Sequence, residues 1–188
     1  MSVWLGKFNK HLIYAGFNNV KIKDVNKLFQ TLKYETDDAC VQLLDASFVA
    51  GLEHLRFATL NALNAFEDHV NISSSLAIEI LLYAAAQRQI KEAVRLIGVK
   101  TSTAKVAVVI LAESSQQAPV ILRVVSRLIR GKRDDSVINL TDEKLANLRK
   151  LFGISDAELE AEVDRGGLEK QALIDLIVER MALLVAQR

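Results

Sequence analysis

The stretch Glu79–Gly98, EILLYAAAQRQIKEAVRLIG, decides how the chain is read, because two periodicities meet inside it. Alternation places Ile78, Ile80 and Leu82 on one face and Glu79, Leu81 and Tyr83 on the other, which predicts a strand. From Ile90 the spacing turns helical, with Ile90, Ala93, Val94 and Ile97 at i, i+3, i+4 and i+7. Three alanines and Gln87-Arg88-Gln89 form a corner between the two, near a helix start. Gly98 stands where a C-capping glycine belongs. Such a corner can hold another molecule, or it can be only a turn.

Upstream, His11–Phe17 (HLIYAGF) reads as a strand followed by the Asn18-Asn19 turn. Asp24 is placed to cap a helix from Val25 to about Tyr34, with Val25, Leu28, Phe29 and Leu32 on its apolar side. Residues 39–45 read as a short buried strand. A long helix is predicted from Ser47 to about Asp68 on the stripe Phe48, Leu52, Leu55, Leu63 and Phe66. Phe57, Leu60 and Ala65 fall outside that stripe, so this helix is buried on two sides or used by a partner.

Downstream, residues 104–112 are β-branched and almost wholly apolar, as a central strand requires. Pro119 suits the first turn of a helix running to about Arg130 on Ile121, Leu122, Val125, Leu128 and Ile129. Gly131–Ser136 (GKRDDS) reads as a loop. Thr141 opens a helix ending near Gly153, and Ser155 with Glu158 has capping-box spacing. Gly166-Gly167 breaks that segment. A last helix from Leu168 carries Ala172, Leu173, Leu176, Ile177, Met181, Leu184 and Val185. Interleaved strands and helices without a repeat predict one α/β or α+β domain over residues 1–188. A small, mostly central β-sheet packed by helices is expected, with a C-terminal helical part over 140–188.

The hydrophobic share of 51% suffices for a large core, and is slightly high for a lone monomer. Homodimerisation through surplus apolar helix surface is therefore open. No apolar run reaches the roughly 18 residues of a membrane span. The start, MSVWLGKFNK, does not read as a signal peptide. With Cys40 alone, no intramolecular disulfide can form, and a cytoplasmic setting is expected. The net charge of +1 hides blocks of +5 over residues 1–34, −7 over 35–79, +8 over 80–133 and −5 over 134–188. Folding either mixes these blocks or leaves a bipolar surface that an anionic partner could use.

Catalysis finds little support. There is no glycine-rich phosphate loop, GxSxG elbow or HExxH pair. His11, His54 and His69 share no ligand spacing, so neither a metal nor another cofactor is implied. Cys40 reads as a core residue, and Asp37-Asp38 and Asp134-Asp135 as solvated loop acids. The basic spacing says more. Arg88, Lys91 and Arg95 recur at i, i+3 and i+7. Arg123, Arg127 and Arg130 recur at i, i+4 and i+7, and Lys132 and Arg133 extend that stripe. Such rows track phosphates, or they are ordinary solvated faces. On the last helix, Leu173, Ile177, Met181 and Leu184 either close the core or leave a rim for another protein.

The segments HLRFATLNALNAF (54–66) and NISSSLAIEILLYAAAQRQIKEAVRLIGV (71–99) together resemble the small Cgi-type subunit of the KEOPS complex, whose eukaryotic counterpart is the PRPK-binding protein. The shared order is an aliphatic helix ending in Phe, an Asn-Ile-Ser turn, a Glu-aliphatic strand, Arg-Gln-Ile, an amphipathic helix and Gly-Val. The resemblance implies a non-catalytic part in threonylcarbamoyladenosine modification of tRNA, in the cytoplasm and, in a eukaryote, the nucleus. It implies an atypical protein kinase/ATPase as partner, and tRNA held by its single-stranded 3′ CCA end. Carried over by residue, Glu79 and Ile90 are expected to be structural, and Arg88 and Gln89 to touch RNA. Gln87, Lys91 and Arg95 stand beside them. The family often has Ser-Gly where this chain has Ala85-Ala86. Its C-terminal helix is implicated in kinase binding, which points to Leu173, Ile177, Met181 and Leu184. The alternative is a protein-only regulatory adaptor.

Overall fold

Aliphatic and β-branched runs form the sheet in the computed structural model, which describes residues 2–37, 39–164 and 168–186. Asp38 and the Gly166-Gly167 break lie outside the described residues. In chain order the first elements are β1 (Ser2–Leu5), β2 (Lys10–Asn18), α1 (Val25–Glu35), β3 (Cys40–Asp45), α2 (Gly51–Glu67), α3 (Leu76–Ala84) and α4 (Ile90–Ile97). Then follow β4 (Val106–Ala112), α5 (Gln117–Ile129), β5 (Lys132–Arg133), α6 (Asp142–Phe152), α7 (Asp156–Asp164) and α8 (Glu169–Ala186). The class is α+β: a five-stranded antiparallel sheet and eight helices among the described residues. Two compact units share the chain, one of Met1–Ser47 with Gly98–Ile138 and one of Phe48–Ile97 with Asn139–Arg188.

The first unit is built on β2 and β4, paired antiparallel with Ile13 opposite Ile110 and Phe17 opposite Val106. The sheet order is β1-β2-β4-β3, and β5 joins β2 at Phe17 and Asn18. All seven residues of β4 are buried, which explains its unbroken apolar run. Period-two alternation gives one sheet face Ile13, Ala15, Phe17, Val108 and Ile110, packed by Leu28 and Leu32 of α1 and Ile121, Val125 and Ile129 of α5. Asp24 caps α1 by accepting from the Lys27 N–H at 3.0 Å. Burial pushes the Cys40 thiol up to about 12, so it stays protonated and inert.

The GKRDDS segment is no free loop. Lys132 and Arg133 pair with β2, and a 3-10 turn covers Asp135–Ile138. Gly16 permits this, since a Cβ there would stand 2.4 Å from the Asp134 carbonyl oxygen. The Gly16 N–H donates to Asp135 Oδ1 at 2.8 Å, and Arg133 pairs with the same carboxylate. Asp134 accepts from Ser136, whose hydroxyl and N–H hold its carboxyl below the usual range. Solvation does not account for these two acids; local bonding does.

In the second unit α2 packs on α3 and α8, and α8 also meets α6 and α7. The predicted start of α2 at Ser47 moves to Gly51, where φ is +87°. A 3-10 turn precedes it, and His54 Nδ1 accepts from the Ala50 N–H at 3.1 Å. Its buried face is Gly51, His54, Leu55, Ala58, Thr59, Ala62, Leu63 and Ala65, while Phe57 stays exposed. Thr141 and a left-handed Gly153 bound α6 as the sequence predicts. Ser155 and Glu158 form the reciprocal capping box at the start of α7, with N···O distances of 2.9 and 3.2 Å.

The largest correction is α3. The segment read as an alternating strand is a helix, capped by Ser75 Oγ accepting from the Ile78 N–H at 3.5 Å. Its residues from Glu79 to Ala84 are all buried, and a helix apolar around its circumference has no 3.6-residue signature to read. Gly98 lies one residue past α4 but bridges to Leu44 and has no left-handed conformation. No helix among the described residues is long and apolar enough to cross a membrane.

Candidate functional site

The corner after α3 is a C-terminal cap built from backbone. The Gln87 N–H donates to the Leu82 carbonyl at 3.0 Å and the Ala86 N–H to the Tyr83 carbonyl at 2.9 Å. This Schellman arrangement requires a left-handed residue, and Ala86 supplies it with φ of +47°. An alanine pays steric strain there that glycine does not. Ala86→Gly is expected to stabilise the protein by about 0.5–1 kcal/mol, net of glycine's extra freedom in the unfolded chain. A thermal melt checks this, and an unchanged or lower midpoint would show the turn to be unstrained.

The start of α3 is organised by Glu79, whose carboxylate is fully buried. It accepts from the Ile72 N–H at 3.1 Å and from the Ser73 N–H at 2.8 Å. Ser73 in turn accepts from the Ser75 N–H at 3.1 Å. Glu79 therefore holds the Asn-Ile-Ser turn, a structural role, together with the Asn71 amide, which donates to the Ser73 carbonyl at 3.0 Å.

Of the five residues expected at the RNA, the turn and α4 bring all together, in different states. Gln87 is half-buried, and Arg88, Gln89, Lys91 and Arg95 are exposed. The Arg88 guanidinium donates to the Leu184 carbonyl at 3.3 Å, so it tethers the C-terminal end of α8, where a cation is favoured. Arg95 pairs with Glu92 at 2.8 Å one turn back. Lys91 has no ion pair among the described residues. The helical stripe splits: Ala93 and Ile97 are buried, whereas Ile90 and Val94 are 43% and 44% exposed. Ile90 thus stands at the surface and not in the core.

The four residues expected at a partner lie elsewhere. Leu173, Ile177, Met181 and Leu184 are buried inside the second unit, because the inward face of α8 closes its core. Their side chains are covered by the core of this unit in the chain alone. The outer side of α8 carries Asp175, Glu179, Ala182 and Leu183.

The second basic row does not act as a stripe. Arg127 pairs with Glu35 of α1, and Arg133 lies over the Phe17 ring at 5.5 Å. Arg130 instead borders a hollow of about 510 Å³ that it shares with Lys21, Lys23 and Lys27. Sequence reading gave no sign of that hollow beyond the +5 block over residues 1–34. The histidines are scattered: His54 is buried, His11 lies against Trp4 with centroids 4.6 Å apart and rings tilted by 44°, and His69 follows the C-cap of α2. Among the described residues no group of three or more His, Cys, Asp or Glu side chains could hold a metal ion.

A match to the family described as "Kinase binding protein CGI-121" spans residues 17–184. The chain belongs to the CGI-121 family. A CGI-121 relative, the "Regulatory protein Cgi121" of Methanocaldococcus jannaschii, is 34% identical over 135 residues, covering 72% of this chain and 83% of that protein. The CGI-121 match takes in the whole α3–α4 corner, the hollow beside α1 and α8 as far as Leu184.

Proposed function

We propose that this CGI-121 family member is a non-catalytic regulatory subunit of the KEOPS complex that docks on an atypical kinase/ATPase and helps recruit tRNA by its 3′ CCA end. The family match over 17–184 carries this reading, and the relative's name, a regulatory protein, supports its non-catalytic part. The exposed Gln89, Lys91, Ile90 and Val94 offer a cation for phosphate, an amide for base edges and apolar surface against which a base can pack.

Purification of the chain from native cells tests the whole. Recovery of an atypical kinase together with tRNA supports the reading, and recovery of neither overturns it. For the corner itself, Lys91→Glu is the clean variant, because Arg88 also anchors α8. Lys91→Glu is expected to weaken tRNA binding about threefold to tenfold in a gel shift at low salt, with an unchanged circular dichroism spectrum. Equal affinity would remove the corner as an RNA contact.

The internal engagement of Arg88 and Arg95 favours a second reading, a protein-only adaptor of a kinase. Recovery of the kinase without tRNA selects it.

A further inference from the structure

The two compact units differ in charge. The unit of Met1–Ser47 and Gly98–Ile138 holds thirteen basic and eight acidic side chains, a net of +5. The other holds eleven and fifteen, a net of −4. The corner at Arg88 thus belongs to the acidic unit. Within the basic unit, Lys10 is paired with Glu113, Arg127 with Glu35 and Arg133 with Asp135. Lys21, Lys23, Lys27 and Arg130, the four cations of the 510 Å³ hollow, have no ion pair among the described residues.

Their gathering has a backbone cause. The Lys21 N–H donates to the Ile129 carbonyl at 3.0 Å, which brings the end of α5 beside the start of α1. Arg130 turns there in the left-handed conformation, φ +52°. Ile22, Leu28 and Leu128 form an apolar floor along which lysine stems can lie. One acid lines the hollow, Asp24, and it is occupied in capping α1. Lys23 and Lys27 flank the Asp24 cap at the start of α1. Four like charges gathered at one hollow repel one another, and an anionic ligand would relieve that repulsion.

We infer that this hollow is a second nucleic-acid contact, one that grips backbone phosphates of structured RNA and reads no sequence. A small-molecule site would need buried polar groups to fix the ligand's orientation. Here the cations and Asp24 are exposed, and the Thr31 hydroxyl already donates to the Lys27 carbonyl at 2.8 Å. Exposed, unpaired cations with nothing to orient a ligand suit a polymer bound through charge and counterion release. The inference rests on the RNA reading above and extends it to the other unit.

The test is tRNA binding by the full chain across about 50 to about 300 mM salt, by fluorescence anisotropy. The triple variant Lys21→Gln/Lys23→Gln/Lys27→Gln changes only exposed, unpaired side chains. Its log–log salt slope is expected to be shallower by about 2–3, with affinity about tenfold lower at low salt. The same loss is expected with tRNA lacking its CCA end. A wild-type slope in the triple variant overturns the inference and leaves a CCA-dependent contact at Lys91 standing. Absence of any tRNA binding by the wild-type chain overturns the RNA reading itself. Inorganic tripolyphosphate binding as tightly as tRNA, and lost in the triple variant, would make the hollow a small-anion site and refute the proposal.

Discussion

Glu79→Ala is expected to lower the unfolding free energy by about 3 kcal/mol, although the residue touches no partner molecule. Its carboxylate is fully buried and takes the N–H groups of both Ile72 and Ser73. Hydrogen bonds to a charged acceptor contribute about 1.5–3 kcal/mol each, and a buried donor left alone costs about 1–3 kcal/mol. Relief from burying a charge offsets part of that loss, and the void left by the side chain adds to it. Glu79→Gln keeps the volume and one acceptor oxygen but turns an amide N–H₂ toward backbone donors, so about 1–2 kcal/mol is expected. Urea unfolding of the three proteins checks the order wild type, Gln, Ala. An alanine variant within about 0.5 kcal/mol of wild type would show that the Asn-Ile-Ser turn holds itself. The effect should reach the α3–α4 corner too, because the same helix begins at that turn and ends at Ala84, against the left-handed Ala86.

The strands were legible wherever burial on both faces gave an unbroken β-branched run, as in Val106–Ala112, or where a turn pair followed, as after Phe17. Helix ends were legible at Asp24 and Ser155, where a capping side chain marked them, and at the left-handed Gly153. Leu76–Ala84 defeated the same reasoning, because burial of every residue from Glu79 to Ala84 erases helical periodicity and chance alternation took its place. Ser75 as an N-cap, and the alanines favouring helix, were the signals that outweighed it. The candidate site was half legible. Gln89, Lys91 and Arg95 stay exposed as a basic helix face suggests. Nothing local to Arg88 announces Leu184, 96 positions away, and nothing local to Lys21 announces Arg130. On α8 the apolar residues were found, but sequence alone could not tell core from rim, and packing against α2, α6 and α7 made them core. Charge blocks behaved similarly: the linear pattern mixed in part, yet left one unit at +5 and the other at −4.

Stability is expected to fall by about 3 kcal/mol between about pH 6.5 and about pH 4 through a single group, His54. Its ring is fully buried, edge-on to Phe152 at 5.7 Å between centroids. Nδ1 accepts from the Ala50 N–H at 3.1 Å, so the neutral ring carries its proton on Nε2 and donates to the Ala84 carbonyl at 2.8 Å. Protonation would set a second N–H against the Ala50 donor. Burial, with the Lys144 ammonium nearby, lowers the His54 pKa to about 4. Unfolded, the same ring takes up its proton near the ordinary value of about 6.5. In that window the unfolded chain binds more protons than the folded one, so stability is complete above it and declines as pH drops. Carboxylates held low, such as Asp134, and Glu158 at about 2, work in the same direction but at more acidic pH. Urea midpoints at about pH 7 and about pH 4.5 separate these contributions. His54→Gln should be less stable than wild type at neutral pH, since it packs less well. Its stability should then change little down to about pH 4.5, so the two curves converge. An equal acid loss in both proteins would mean that His54 is protonated without cost and that the link between α2 and the end of α3 tolerates a charge.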